Sequence, residues 1–311
     1  MRSVVAGLAL LMTVSACGGD TEEASDSAFE GVASAEDLLD HDAVKDLPTS
    51  EPDAVVKYGS AEAQVGELRL PNGTGPFPVA VVYHGGCWTK SIGAGPRYMA
   101  PLADALTQAG IATWNVGYRQ MGEDGAGWPG TFLDWGRAVD SLRVLAREHP
   151  LDLDRVTTIG HSAGAHAALF TAARSTLPDD SEVRGPNPLP VRAVIAIDGP
   201  ADLVRGRAAA EDVCELDGIA AVMGGTPDEV RSRYAQASPI ARIPFGIPQV
   251  VVASEVMPAD QGYSYSQEAR AAGDDVTLMT FDDAGHFNMI APGTKAFARV
   301  FPQFVDTIKR P

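Results

Sequence analysis

A serine between small residues, in Gly160-His161-Ser162-Ala163-Gly164, is the feature of this sequence best suited to chemistry. The five residues fit G-x-S-x-G, in which a serine hydroxyl acts as a nucleophile at a sharp turn between a strand and a helix. An apolar run precedes the motif and an Ala-rich run follows it, so the context fits that turn. The sequence therefore indicates nucleophilic catalysis, and the alternative is a passive serine in a glycine-rich turn.

A second run of small residues, Gly85-Gly86-Cys87, follows another apolar stretch. Glycines in this place leave backbone N–H groups free to approach a ligand oxygen. Together with the N–H group of Ala163, these amides would form an oxyanion hole, which stabilises the negative charge that develops during acyl transfer.

The two motifs together resemble those of the α/β-hydrolase superfamily. The run from His84 to Trp88 reads H-G-G-x-W and resembles the carboxylesterase and kynurenine formamidase-like branch. The resemblance covers about residues 54–310. It implies that Gly86 and Cys87 donate their N–H groups to the oxyanion, and we expect His84 to support the loop rather than to react.

Among the six histidines, we expect His286 to be the general base. It lies between the last predicted strand and the last predicted helix, where the chain order of α/β-hydrolases puts the base. A histidine there takes the proton of Ser162 and later returns it to the leaving group. The other histidines fall in the N-terminal segment, on the first motifs or at a helix end, and they are His41, His84, His149, His161 and His166.

The acid that would orient this histidine is the least defined member of the set. The family usually has an aspartate a few residues past the strand 249–253, and Glu255 stands in that place. Asp260 is the first alternative. Asp198 and Asp202 are further alternatives, because they follow the preceding strand, where some hydrolases keep their acid.

Strands and helices alternate along the chain, which predicts an α/β fold: a mostly parallel central sheet with helices on both faces, as the α/β-hydrolase resemblance implies. Residues 199–248 are long and weakly periodic, so we expect an insertion that forms a small lid. The predicted strands are 54–58, 64–70, 78–84, 111–116, 155–160, 191–197, 249–253 and 276–281. The predicted helices are 98–109, 130–147, 162–173, one ending at residue 272 and one beginning at residue 294.

Charge is distributed unevenly over the 311 residues. The net charge is -17, and residues 18–53 alone contain twelve acidic residues and one lysine. An acidic balance argues against nucleic acid or an anionic membrane surface as a partner, since both require basic patches. We expect residues 18–53 to form a disordered acidic tether and residues 54–311 to form the catalytic domain.

Residues 1–17 have the order of a targeting segment. Arg2 precedes an apolar run over residues 4–14, which is too short to span a membrane as a mature helix. The run ends in Val-Ser-Ala-Cys17, which resembles a bacterial lipobox. That resemblance implies acylation of Cys17 and an exported protein, anchored by lipid to a membrane of the cell envelope.

Cys87 and Cys214 remain after the leader. An exported protein meets an oxidising compartment, so the two residues form either a disulfide or a pair of buried thiols. The sequence contains no metal-ligand motif and no phosphate-binding glycine loop, and we expect no metal and no cofactor.

The combined features favour a serine hydrolase that cleaves small to medium carboxylic esters through an acyl-enzyme. The same residues would serve an amidase, an arylformamidase or a peptidase, because fold alone does not select the bond that is cleaved. A lipoprotein that uses a hydrolase fold for binding alone is the alternative outside enzymes.

Overall fold

The computed structural model describes residues 38–310, and its centre is an eight-stranded sheet in the order β1-β2-β4-β3-β5-β6-β7-β8. Within this part of the chain, β2 runs antiparallel to both of its neighbours and every other neighbouring pair is parallel. The prediction of a mostly parallel sheet is confirmed. The strands are β1 (Ala54–Lys57), β2 (Val65–Arg69), β3 (Phe77–Tyr83), β4 (Ala112–Val116), β5 (Leu151–His161), β6 (Ala193–Ile197), β7 (Gln249–Ala253) and β8 (Val276–Thr280).

Helices cover both faces of this sheet. Helices α3, α5 and α9 contribute to the core on one face, and α2 and α10 contribute to the core on the other. The helices are α1 (His41–Lys45), α2 (Pro96–Gln108), α3 (Gly130–Asp140), α4 (Leu142–Leu145), α5 (Ala163–Ala173), α6 (Arg207–Cys214), α7 (Gly218–Met223), α8 (Arg231–Ala237), α9 (Ala259–Ala271) and α10 (Lys295–Lys309).

Strand β3 shows why a continuous apolar run marks the centre of such a sheet. Side chains alternate between the two faces of a strand. Val79 and Val81 accordingly join the core on the side of α3 and α5, whereas Ala80 and Val82 join the core on the side of α2 and α10. Both faces of the strand are buried, so each residue along it must be apolar.

Helix α10 covers its face of the sheet with an apolar stripe. Phe297, Val300, Phe304 and Ile308 are buried and recur at the spacing of one helical face. Thr294 begins the helix, because its side-chain oxygen accepts a hydrogen bond from the amide of Phe297. The stripe and the cap together fix the helix that follows the loop of His286.

Two elements differ from the predicted bounds by more than two residues. The helix predicted over residues 130–147 is divided into α3 and α4 at Ser141, whose hydroxyl donates a hydrogen bond to the carbonyl of Ala138 at 2.7 Å. A serine that bonds to the backbone in this way competes with regular helix geometry. Strand β5 begins at Leu151, because that residue pairs with Phe77 before a shift in register.

Residues 199–248 lie between β6 and β7, as predicted for an insertion. They contain the short helices α6, α7 and α8, and a 3-10 turn at Pro239–Arg242 follows α8. Helix α8 and that turn pack on the core beside α5, since Tyr234 and Ala237 are buried there. The insertion is therefore a folded part of the domain.

The predicted tether is wrong for residues 38–53, which pack against the domain. Helix α1 lies against α2, and Val44 is fully buried. The amide of Leu39 donates a hydrogen bond to the side chain of Asn288 at 3.0 Å. Apolar side chains at positions 39, 44 and 47 explain the error, because they supply enough buried surface to order an otherwise acidic segment. The rest of the predicted tether, residues 18–37, and the predicted leader lie outside the described residues.

A buried ion pair holds α3 against the segment that follows β4. Asp134 is fully buried and accepts two hydrogen bonds from the Arg119 guanidinium, at 2.7 and 2.8 Å, and one from Gln64 at 2.6 Å. Arg119 lies shortly after β4, so the ion pair joins the segment after that strand to α3.

We expect Asp134→Ala to lower the free energy of unfolding by about 3 kcal/mol, because it leaves a charge without its partner. Urea unfolding at pH 7 measures the change. Asp283→Ala is the matched control, since its ion pair with Arg299 is about half exposed and exposed pairs contribute less than about 1 kcal/mol. Equal losses in both variants would contradict this role for Asp134.

Candidate active site

Ser162 lies at the turn between β5 and α5, with φ 58° and ψ -124°. A positive φ is strained for a residue with a side chain, and such strain persists where neighbours enforce it. Here the neighbours are glycines at points of close backbone approach. A Cβ atom on Gly160 would overlap the carbonyl of Gly164, and one on Gly164 would overlap the carbonyl of Tyr83. The sequence motif is thus a tight turn, as predicted.

Helix α5 begins directly after this serine, at Ala163. The first amides of a helix have no partner within the helix, and the helix dipole places partial positive charge at this end. The N–H group of Ala163 therefore lies where it could stabilise negative charge formed at the serine.

His286 lies in the loop between β8 and α10 and contacts the turn of the serine. Its ring lies 4.2 Å, centre to centre, from the ring of His161, the residue before Ser162. The ring nitrogen Nε2 of His161 lies 2.9 Å from the backbone oxygen of His286. The structure thus brings the predicted base and the predicted nucleophile to one edge of the sheet.

Asp198 is the carboxylate that contacts this histidine. Its Oδ2 lies 2.6 Å from Nδ1 of His286, and the aspartate is fully buried. It follows β6 directly and has φ 46°. The next residue is Gly199, where a Cβ atom would overlap the backbone of Ser162.

The loop after β7 encloses the Asp198 carboxylate. Ser254 donates its amide at 3.0 Å and its hydroxyl at 2.9 Å, and the amides of Glu255 and Met257 donate at 3.2 and 3.0 Å. Burial alone would raise the pKa of Asp198. The hydrogen bonds from His286, Met257 and Ser254 outweigh it and hold that pKa well below its usual range.

The prediction of Glu255 as the orienting acid is therefore corrected to Asp198. Glu255 takes part through its backbone amide, while its side chain is exposed. Asp260 lies in the first turn of α9, also exposed, and Asp202 accepts hydrogen bonds from the amides of Val204 and Arg205. The signal that could have identified Asp198 is an aspartate directly after a buried strand, followed by a glycine.

The loop after β3 lies against the nucleophile. A Cβ atom on Gly85 would lie 2.8 Å from Cβ of Ser162. The amide of Gly85 donates its hydrogen bond to the hydroxyl of Tyr98, so the prediction of Gly85 as an oxyanion donor is wrong. Within residues 38–310, the amides of Gly86 and Cys87 have no hydrogen-bond acceptor, which leaves them free for a ligand.

Cys87 and Cys214 form a disulfide with a Cα–Cα distance of 5.9 Å. Cys214 ends α6, so the bond joins the loop after β3 to the insertion. A Cβ atom on Gly218 would lie 2.7 Å from the carbonyl oxygen of Cys87, which shows how closely the insertion packs on this loop. Cys87 and Trp88 both have positive φ. The disulfide and the packed insertion therefore hold this conformation from outside the loop.

His84 supports the loop after β3 through its contacts with Tyr118, as expected. Its ring stacks on Tyr118 at 4.3 Å, and the Tyr118 hydroxyl donates a hydrogen bond to the His84 carbonyl at 2.6 Å. Burial lowers the pKa of His84 to about 4. The ring is thus neutral near pH 7 and adds no charge beside the loop.

Metal-holding clusters and membrane-spanning helices are both absent from residues 38–310. No group of three or more histidine, cysteine, aspartate or glutamate residues is arranged to hold a metal ion. No helix there is both long and apolar enough to cross a membrane.

Comparisons with known proteins show the family and the fold of this chain. The BD-FAE family model matches residues 67–262, more than half of the chain. Among curated proteins, none matches. Solved structures share the fold at low identity. A truncated carbohydrate esterase from gut microbiota is 20% identical with a TM-score of 0.68, over 90% of this chain and 100% of its own.

Two further structures have similar scores. Thermogutta terrifontis esterase 2, phosphoramylated by tabun, is 18% identical with a TM-score of 0.65, over 83% of this chain and 96% of its own. A bifunctional GH43-CE protein of Bacteroides eggerthii is 21% identical with a TM-score of 0.65, over 82% of this chain. The chain spans 37% of the length of that protein. The predicted α/β-hydrolase fold is confirmed.

Three buried histidines around the site make stability depend on pH. Burial lowers the pKa of His84 and of His166 to about 4, and burial together with the charge of His286 lowers that of His161 well below its usual value. The unfolded chain binds these protons near pH 6.5. The folded protein therefore binds fewer protons than the unfolded chain, and its stability falls as pH decreases from about 6.5 to 4.

The free energy of unfolding changes with pH between about 4 and 6.5, and we expect His166→Gln to reduce the slope of that change by up to about 1.4 kcal/mol per pH unit. The reason is that one buried titrating ring is lost. Urea unfolding at several pH values from 4 to 7 measures the slope. His149→Gln, at a partly exposed position after α4, is the control. An unchanged slope in His166→Gln would show that this ring is not kept neutral by burial.

Proposed function

This chain belongs to the BD-FAE family, and on that premise we propose that it is a serine esterase whose triad is Ser162, His286 and Asp198. The observation that carries the proposal is the buried contact between Asp198 and His286, beside the turn that presents Ser162. A carboxylate, an imidazole and a strained serine in this relation are the parts of a nucleophilic acyl-transfer site.

The Asp198 contact assigns the two ring nitrogens of His286. Nδ1 faces the carboxylate at 2.6 Å and carries the proton of that hydrogen bond. Nε2 is then the nitrogen that accepts the proton from Ser162 as its hydroxyl attacks the ester carbonyl. The pKa of Asp198 lies well below its usual range, so the carboxylate stays charged and stabilises the imidazolium that forms.

The amides of Ala163, Gly86 and Cys87 hold the oxyanion in this proposal. Ala163 lies at the start of α5, and the other two amides lack an acceptor within the described residues. Donors fixed before the reaction stabilise the tetrahedral intermediate without reorganisation. The imidazolium then protonates the leaving alcohol, and water releases the acid from the acyl-enzyme by the same steps.

Carboxylic esters with small to medium acyl groups are the proposed substrates. Ser162 is 6% exposed and His286 is 7% exposed, so little of either residue is accessible, which favours small acyl groups. Trp88 follows Cys87 in the chain and is almost completely buried, and its ring lies 6.0 Å, centre to centre, from the ring of His166. The likeness to a carbohydrate esterase and to esterase 2 of Thermogutta terrifontis supports an ester as the bond that is cleaved.

We further propose that the enzyme is exported and anchored by lipid at Cys17, which lies outside the described residues. The disulfide between Cys87 and Cys214 supports this location, because structural disulfides persist in oxidising compartments.

Hydrolysis of p-nitrophenyl acetate tests the triad. We expect Ser162→Ala to abolish turnover and Asp198→Asn to lower kcat by about 10³- to 10⁴-fold, because the imidazole loses its orienting charge. Glu255→Gln and Asp260→Asn are matched controls, since both side chains are exposed and leave the amide contacts to Asp198 in place. A large loss in Glu255→Gln with a small one in Asp198→Asn would reverse the assignment of the acid.

A further inference from the structure

Two buried side chains, Tyr98 and His161, connect the loops that carry the proposed site. The Tyr98 hydroxyl is hydrogen-bonded to the amide of Gly85 and lies 3.4 Å from Nδ1 of His161. On the other side of its ring, Nε2 of His161 lies 2.9 Å from the carbonyl oxygen of His286. The loop after β3, the serine turn and the histidine loop are thus joined in one hydrogen-bonded series.

The chemistry of these groups fixes the direction of each hydrogen bond. A backbone N–H can only donate, so the oxygen of Tyr98 accepts from Gly85. A carbonyl can only accept, so His161 carries its proton on Nε2 and donates it to His286. Nδ1 of His161 is then an acceptor, and the Tyr98 hydroxyl donates to it. Each hydrogen bond in the series therefore has one donor group, one proton and one acceptor atom.

The surroundings keep both side chains uncharged. Tyr98 is 1% exposed and His161 is fully buried. Burial lowers the pKa of His161 well below its usual value, the charge of His286 lowers it further, and Asp198 acts in the opposite direction. Burial raises the pKa of Tyr98, whose ring also contacts that of His41. Neutral groups in fixed tautomers suit a positional role.

We propose that Tyr98 and His161 are positioning residues that set the distance between the oxyanion amides and the imidazole of His286. The inference rests on the proposed esterase function. Gly85 lies between Tyr98 and the nucleophile, since a Cβ atom there would be 2.5 Å from the hydroxyl and 2.8 Å from Cβ of Ser162. A shift of Tyr98 would therefore move the adjacent amides of Gly86 and Cys87.

His286 is held at two points in this arrangement. Asp198 holds its ring through Nδ1, and His161 holds its backbone carbonyl. The two hydrogen-bond partners of the Tyr98 hydroxyl, Gly85 and His161, both belong to segments of the proposed site. A hydroxyl that served packing alone would not need partners there. Its removal should therefore affect the transition state more than the ground state.

Steady-state kinetics with p-nitrophenyl acetate tests the role. We expect Tyr98→Phe to lower kcat roughly tenfold with little change in KM, the loss typical of one positioned hydrogen bond. Tyr265→Phe is the matched control, because its buried hydroxyl donates to Gln249 at 2.7 Å away from these loops. It should lose comparable stability and keep kcat within about twofold.

Substitutions at His161 distinguish a role in positioning from a role in packing. His161→Gln can keep a donor for the His286 carbonyl, so we expect it to retain several times the kcat of His161→Leu. The double variant Tyr98→Phe with His161→Leu should lose less than the product of the two single losses, because both changes interrupt one series. Multiplied losses in the double variant, or equal kcat losses in Tyr98→Phe and Tyr265→Phe, would overturn the proposal.

Nitrogen-15 chemical shifts of His161 test the series without any activity. We expect the Nε2–H tautomer in the wild-type protein and faster hydrogen exchange of the Gly85 amide in Tyr98→Phe. The Nδ1–H tautomer, or unchanged exchange, would overturn the series itself. A wild-type protein that keeps this NMR signature and hydrolyses no ester would instead refute the proposed function and, with it, the catalytic value of the positioning.

Discussion

The carboxylate of Asp198 is fully buried, and its contacts determine how the rest of the site is arranged. A buried charge is costly unless hydrogen bonds compensate it. Four donors from the loop after β7 and the ring of His286 supply that compensation. Since β6, β7 and β8 are neighbouring parallel strands, the segments after them meet at one edge of the sheet. The fold thereby brings Asp198, its donors and His286 to the same place.

The same edge also explains the strained backbone around Ser162. Strands β5 and β3 end beside each other, so the serine turn and the loop of Gly85 and Gly86 come into direct contact. Close approach requires glycine at several points and leaves Ser162, Cys87 and Trp88 with positive φ. The disulfide from Cys87 to the insertion holds that loop from one side, and the hydrogen bond of Gly85 to Tyr98 holds it from the other.

Features with a local cause could be predicted from the sequence. Continuous apolar runs such as that of β3 predict buried parallel strands, and the residues around Ser162 predict the turn. Asp198 was harder to identify, because its role depends on contacts from a loop more than fifty residues later. Glu255 occupies the expected position in the sequence, yet its amide, rather than its carboxylate, faces the site. The packing of residues 38–53 depends in the same way on distant apolar partners around α2 and Asn288.

Covalent labelling by a fluorophosphonate, followed by mass spectrometry of the intact protein and its peptides, tests the central claim most directly. The reagent reacts with a serine that an imidazole activates beside an oxyanion hole. The account predicts one label per chain on the peptide that contains Ser162, and no label in Ser162→Ala. An unlabelled wild-type protein, or a label that persists in Ser162→Ala, would contradict the claim that this serine is an activated nucleophile.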